Sequence, residues 1–213
     1  MQNFADYTIV IKSYAELLEC QSISEQMFTL RAQVFNGRQK WALPTVSGKE
    51  IDDFDNNRAL YMLGLSCITN DVVACWRMIP TAFDTMIHTV FTDLLPADHD
   101  IARNNNVWEL SRFAIKKGFS PRTNLVASGI TRSMFAALKT FATEREIERY
   151  VTVLSPSLHR LLSRSGLTMP RFDSLTDTQR RHLGRTACYI EIDELMDEFI
   201  QNRPGNKNLD QAI

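Results

Sequence analysis

Apolar positions recur with two different periods along this chain. Tyr7 to Ile11 is a short apolar run that predicts a strand. Ser22-Ile23-Ser24-Glu25 has the form of a capping box and predicts a helix start. On that helix Phe28, Arg31 and Phe35 fall three and four apart and share a face. Residues 36–58 are polar and turn-rich and predict an irregular loop. Ala59 to Ser66 and Val72 to Ile79 read as strands joined by a turn at Asn70-Asp71, and Val107 to Ile115 and Tyr150 to Ser155 as two more. Between the last two, Val126, Ile130, Met134, Ala137, Leu138 and Phe141 repeat near helical period, predicting a helix over Asn124 to Arg145. Pro156 to Ser165 predicts a short helix stopped at Gly166, Leu183 to Ile192 a strand and Asp193 to Ile200 a helix. Pro80 to Asn106 is a long excursion with one short helical piece, Thr85 to Leu95, and excursions of that length often carry function. The tail from Asn202 to Lys207 is expected to fray.

A sheet first, then helix, strand, helix, strand, predicts an α/β sandwich: a mixed twisted sheet with helices on both faces. No repeat or shift in composition divides the 213 residues, so one domain over 1–213 is expected. Apolar residues make up 44% and charged residues 23%, which argues against disorder, and a net charge of -1 gives nucleic-acid binding no support. Cys20, Cys67, Cys75 and Cys188 form no C-x-x-C pair and read as buried reduced thiols. His88, His99, His159 and His182 have no metal-type spacing, so no metal is expected. The N-terminus lacks a signal-peptide pattern and no run is long enough to span a membrane, which predicts a soluble cytoplasmic protein.

The polar residues that remain fall in ordered groups. Reading forward gives Arg31, Phe35 and Trp41; then Glu50-Ile51-Asp52-Asp53-Phe54-Asp55; then Cys75-Trp76-Arg77; then Trp108-Glu109-Leu110-Ser111-Arg112-Phe113. Any one group is weak, but four in order over residues 31–113 are specific. They resemble the pattern of acyl-homoserine lactone synthases, the autoinducer synthases of quorum sensing. The C-terminal half resembles the family more loosely, through Tyr150-Val151-Thr152-Val153 and Arg164-Ser165-Gly166. The resemblance implies a fold related to N-acetyltransferases. It also implies a reaction in which the amine of S-adenosylmethionine is acylated from a thioester and the product closes to a lactone, releasing methylthioadenosine. S-adenosylmethionine is then a substrate, and no cofactor is expected.

That chemistry assigns roles. In an extended strand Glu109 and Ser111 point to one face and Arg112 to the other, bracing acidic partners. Glu109 is the candidate base, and by resemblance the proton acceptor or its relay. The plainer reading of Glu109 is a carboxylate ion-paired with an arginine. Asp52 and Asp55 can balance the positive groups of S-adenosylmethionine, with Arg31 or Arg77 forked onto its carboxylate. Arg31, between Phe28 and Phe35 on a helix face, must otherwise be paired or snorkel, and the acidic loop is its obvious partner. Phe35 and Trp41 offer flat faces for adenine or the sulfonium. Core packing or a solvated loop is the alternative for each of these aromatic and acidic residues. Met134, Leu138, Val153 and Thr152, with Phe135, Val151 and Leu154, are candidates to line the acyl chain, or else plain core. By resemblance, a threonine at the place of Thr152 can bond a 3-oxo group.

The donor is read from charge. Residues 157–185 hold Arg160, Arg164, Arg171, Arg180, Arg181 and Arg185 against Asp173 and Asp177. Arg160 and Arg164 fall four apart and can dock an acidic acyl-carrier protein, unless the face is simply solvated. The glycine-rich pyrophosphate loop of coenzyme A-dependent acetyltransferases is not evident near Pro121 to Thr131, which favours a carrier protein over acyl-coenzyme A. Two other functions fit the pattern less well: an acyl-coenzyme A-dependent N-acyltransferase of another amine, and a non-catalytic module that binds an acyl-carrier protein.

Overall fold

A computed structural model describes residues 7–95, 103–119, 128–172 and 175–201. Its centre is a six-stranded sheet in sequence order. The strands are β1 (Tyr7–Ser13), β2 (Leu60–Ser66), β3 (Val72–Pro80), β4 (Val107–Ile115), β5 (Arg149–Leu154) and β6 (Thr186–Glu191). Neighbours are antiparallel except β4 and β5, which are parallel and therefore need a crossover helix. That helix is α4 (Gly129–Arg145), whose described part ends where the apolar period predicted; residues 124–127 of the expected helix lie outside the described residues.

The N-terminal segment differs from expectation. Ser22 does not cap a helix. The capping box is Ser13 with Glu16, opening α1 (Tyr14–Glu19), and Ser22 lies inside α2 (Gln21–Ala32). The S-x-x-E spacing occurs at Ser13 and again at Ser22, and local sequence alone does not choose between them. The helix then loosens into a π turn over Gln33–Arg38, a form that recurs at functional sites. Two short turns, α3 (Met86–Thr89) and a 3-10 turn (Thr92–Leu94), replace the single helical piece expected over Thr85 to Leu95. Helices α5 (Pro156–Arg164), α6 (Asp177–Leu183) and α7 (Glu194–Gln201) complete the chain. Gly166, at φ +106, supplies the left-handed residue just beyond α5. The expected strand start at Leu183 is therefore three residues early, because Leu183 ends α6.

Both faces of the sheet are covered. On one, Met62, Trp76, Met78, Trp108, Leu110 and Tyr150 pack against Ile130, Met134, Phe135 and Leu138 of α4 and Met196 and Phe199 of α7. Gly64 allows this approach, since a Cβ there would lie 3.0 Å from Ile130 Cδ1. On the other face lie two separate apolar clusters. One joins β2 and β3 to α1 and α2. The other joins Val107, Val151 and Ala187 to Ile87 and Leu94. Between them the sheet carries Arg77, Ser111 and Glu109, paired in register as Tyr61–Arg77–Ser111 and Ile79–Glu109–Val151. Cys75 and Cys188 are buried as expected, and burial pushes the Cys75 thiol up to about 12; Cys20 and Cys67 are exposed instead. Among the described residues no helix is long and apolar enough to cross a membrane, and no metal-binding cluster occurs.

Candidate active site

Three guanidiniums and three carboxylates interlock beside β3. Arg31, 1% exposed at the end of α2, bonds Glu50 through Nε at 2.6 Å and both oxygens of Asp55 at 2.7 and 2.9 Å. Arg77 bonds Asp55 at 3.0 Å, both oxygens of Asp52, and Ser111 Oγ at 3.1 Å. Arg112 completes the set with Glu50 at 3.1 Å and Asp52 at 2.7 Å. Tyr61 donates its hydroxyl to Asp55, and the Asp52 amide donates to the same carboxylate. Burial alone would raise the Asp55 carboxyl, yet Arg31 and Arg77 hold it at about 2. The loop that brings the acids here is anchored to α2 by the Glu50 amide on Phe28 O.

The sequence-predicted residues therefore do meet, with corrections to how they are used. Asp55 was a candidate to hold a substrate charge and is instead held inside the protein by Arg31, whose pairing with the acidic loop is as expected. Asp52, whose side chain is 20% exposed, is the outermost of the three acids. Arg112 was expected on the face opposite Glu109 and Ser111. Opposite Cys75 to Arg77 the register shifts, with one extra residue on β4 between Ser111 and Ala114; this bulge, with Arg112 at φ 61, turns Arg112 onto their face. Strict alternation cannot anticipate a bulge, since the extra residue is fixed by pairing with another strand. Glu50 was absent from the candidate set although it opens the acidic motif. The only signal was its place in that motif.

Phe35 takes the core-packing alternative. Its ring is 2% exposed, with Trp41 stacked on it at 5.1 Å and the Arg112 guanidinium 5.6 Å from its centre. Trp41 is 49% exposed and keeps one flat surface open. Its loop is held by Asn36, whose amide bonds both backbone groups of Leu43. Lys40 and Ala42, on either side of Trp41, have left-handed backbones at φ 56 and 53, which costs roughly 1–2 kcal/mol each. Such strain clusters at ligand-binding segments.

Glu109 stands next to this network without an arginine bonded to it. Its Oε2 accepts the Ile87 amide at 2.7 Å. Its Oε1 is buried and has no hydrogen-bond partner among the described residues. Burial raises its pKa above the ordinary carboxylate range, against the opposing pull of the Ile87 amide, Arg77 and Thr85. Met86 brackets the two groups, its sulfur against Arg77 and Arg112 and its backbone beside Ile87. A buried carboxylate with one open oxygen, beside a hydroxyl and the Arg77 guanidinium, can accept a proton from a group delivered to it.

The proposed acyl-lining residues divide between the faces of the sheet. Met134, Leu138 and Thr152 lie on the α4 side, with Cys188 opposite Thr152 across β5 and β6, whereas Val153 packs with Val151 on the Glu109 side. Alternation along β5 requires this division. Thr152 donates its one hydroxyl proton to Leu110 O at 2.8 Å, so bonding a 3-oxo oxygen requires that bond to break. The parallel pairing of β4 and β5 ends at Leu110–Thr152, while β4 runs on to Ile115. Arg160 and Arg164 are exposed together on α5. Arg185 is committed locally to Asp93 at 2.7 Å and stacks over Phe91. Of the segment expected to lack a coenzyme A loop, residues 121–127 lie outside the described residues.

Comparison with known proteins agrees with this architecture. The autoinducer synthase family model matches residues 15–194. An acyl-homoserine-lactone synthase of Aliivibrio fischeri is 37% identical over 192 residues, covering 90% of this chain and 96% of its own length. One from Pseudomonas aeruginosa is 33% identical over 152 residues, 69% of this chain and 72% of its own. The crystal structure of the AHL synthase LasI matches with a TM-score of 0.76 and 26% identity over 92% and 94% of the two chains. In fold alone, the likeness extends to an acyl-CoA N-acyltransferase from Pseudomonas aeruginosa, with a TM-score of 0.53 and 13% identity over 88% and 99%. The family model covers the span that carries the arginine–carboxylate network and Glu109, and with the named relatives it shows that this chain belongs to the autoinducer synthases as an acyl-homoserine-lactone synthase.

Proposed function

We propose that the enzyme acylates the α-amine of S-adenosylmethionine from an acyl-carrier protein thioester and then closes the lactone. The observation that carries this reading is the open, buried Oε1 of Glu109 beside Ser111 and the arginine–carboxylate network. Glu109, raised by burial, takes a proton from the substrate ammonium directly or through one water. The neutral amine attacks the thioester carbonyl, the C–N bond forms, and the C–S bond breaks with the thiol as leaving group. Ser111 accepts from Arg77, which leaves its own proton to orient the thioester oxygen. The methionyl carboxylate then attacks its own γ-carbon, and the sulfonium leaves as methylthioadenosine. That second step mainly needs the substrate held folded, and positioning of this kind lowers a barrier by several kcal/mol. No resident cofactor enters either step.

Trp41 supplies the open ring for adenine or sulfonium, and Asp52 is the acid nearest a bound cation. Trp41→Ala should raise KM for S-adenosylmethionine about tenfold, the loss expected for one aromatic contact, with KM for the acyl donor little changed. Equal effects on both constants would remove Trp41 from the nucleotide side.

The exposed pair Arg160 and Arg164 supports an acidic protein as donor. Reversing both to glutamate should raise KM for acyl-carrier protein several-fold and flatten its salt dependence, with the fold intact. An unchanged donor constant would remove the docking role. Whether coenzyme A replaces the carrier is read directly by offering both thioesters. The whole reading is tested by incubating pure enzyme with S-adenosylmethionine and a panel of acyl donors, followed by mass spectrometry. Methylthioadenosine and an acylated lactone are expected together; acylation of another amine without methylthioadenosine would overturn it.

A further inference from the structure

Acylating an ammonium releases one net proton per turnover: two leave the nitrogen and one ends on the thiol. Glu109 is only 3% exposed, so that proton needs a route to water. The residues around it supply one. Thr85 is fully buried at the N-cap of α3, yet its hydroxyl makes no capping bond. A threonine there ordinarily accepts an amide of the first turn. Here the Ile87 amide goes to Glu109 instead. The Thr85 hydroxyl lies 3.0 Å from His88 Nδ1, and it is among the groups that favour the charged form of the Glu109 carboxyl. Exposure rises along the series, from buried Glu109 and Thr85 to half-buried His88.

We propose that Thr85 and His88 form the proton outlet of this site, relaying to solvent the proton that Glu109 takes from the amine. The relay rests on the role of Glu109 given above. Protonated Glu109 donates to the Thr85 oxygen while the Thr85 hydroxyl proton passes to His88 Nδ1. Glu109 is again a carboxylate, the hydroxyl is regenerated, and the imidazolium loses its proton to water or buffer. Thr85 and His88 are positioning residues, since neither touches the substrate. Serine, which keeps the hydroxyl, suits the arrangement; valine, which keeps only the shape, does not.

The test is steady-state kinetics with S-adenosylmethionine and acyl donor varied separately, on Thr85→Val, Thr85→Ser, His88→Ala and Glu109→Gln, each checked for folding by thermal melt. His88→Ala and Thr85→Val should lower kcat about tenfold or more, at the lower end of acid–base effects, while both KM values hold. Added imidazole should restore part of the activity of His88→Ala and none of that of Thr85→Val. Thr85→Ser should recover most of what Thr85→Val loses. If Thr85→Val fails to fold, the imidazole response of His88→Ala decides alone. Undiminished kcat in His88→Ala, or a loss that imidazole leaves untouched, overturns the relay. If Glu109→Gln is inactive while the His88 and Thr85 variants turn over normally, the relay falls and the base remains. If Glu109→Gln is active, both fall.

Discussion

Glu109→Gln should lower kcat about a hundred- to ten-thousand-fold, the range of a lost acid–base group, and leave the enzyme folded. Glutamine can place its oxygen where Oε2 now accepts the Ile87 amide and its NH2 at the open position. It cannot take a proton from an ammonium. The stability prediction has the opposite sign. A carboxyl whose pKa is raised on folding stabilises the fold below its unfolded value, and that contribution is lost as pH rises through the folded value. The ionised form of Glu109 is therefore the one that the fold disfavours, and Glu109→Gln, which carries no charge, should melt at or above the wild-type temperature. S-adenosylmethionine binding, followed by calorimetry, should persist. A variant that melts lower and turns over at half the wild-type rate would make Glu109 a structural carboxylate.

Arg31→Met should destabilise the protein by about 3–5 kcal/mol, the usual cost of removing one partner from a buried ion cluster. Arg31 is 1% exposed and bonds Glu50 and Asp55, which are also buried. Without it, two carboxylates stay in the interior with fewer cations. Combining Arg31→Met with Asp55→Asn should recover part of the loss, because the unpaired charge is removed with its partner. Chemical denaturation of the wild type and these two variants measures this. Acid should mimic the effect: the Asp55 carboxyl is held at about 2 against an ordinary 3.8. A depressed carboxyl stabilises the fold above its unfolded value, so about 2 kcal/mol should be lost as pH falls from about 4 toward 2. Arg31→Met with unchanged stability would mean the network is not stabilising as drawn.

These two expectations separate the parts of the site. The arginine–carboxylate network is a scaffold: its charges cancel within the protein, and it fixes the acidic loop, β3 and β4 against α2. Glu109, the open ring of Trp41, Ser111 and partly exposed Asp52 are left to meet a substrate. Membership of the family was legible before the fold because Arg31, Phe35, Trp41, the acidic triplet, Arg77 and Glu109 stand in one order at fixed spacings. Their division into scaffold and reacting groups was not legible. An arginine in a sequence does not show whether its charge is committed to a neighbour or held for a ligand.

Local pattern by itself determined much of this protein. Strands β2 to β4, the C-terminal end of α4, α5 and its stop at Gly166 follow from periodicity and end signals, because backbone geometry within a few residues sets which side chains share a face. Tertiary structure decided the rest. Pairing of β4 with β3 placed a bulge at Arg112 and turned its side chain. Packing of the sheet decided which layer each face of β5 meets, Thr152 turning to the α4 side and Val153 to the Glu109 side, so the expected acyl lining divides. The π turn and the left-handed residues around Trp41 arise where α2 meets the loop. Burial decided which charges pair, joining Arg31 to Asp55 across 24 residues and leaving one oxygen of Glu109 open. A charge leaves water only where the whole fold supplies a partner, and that choice is made by residues distant in sequence.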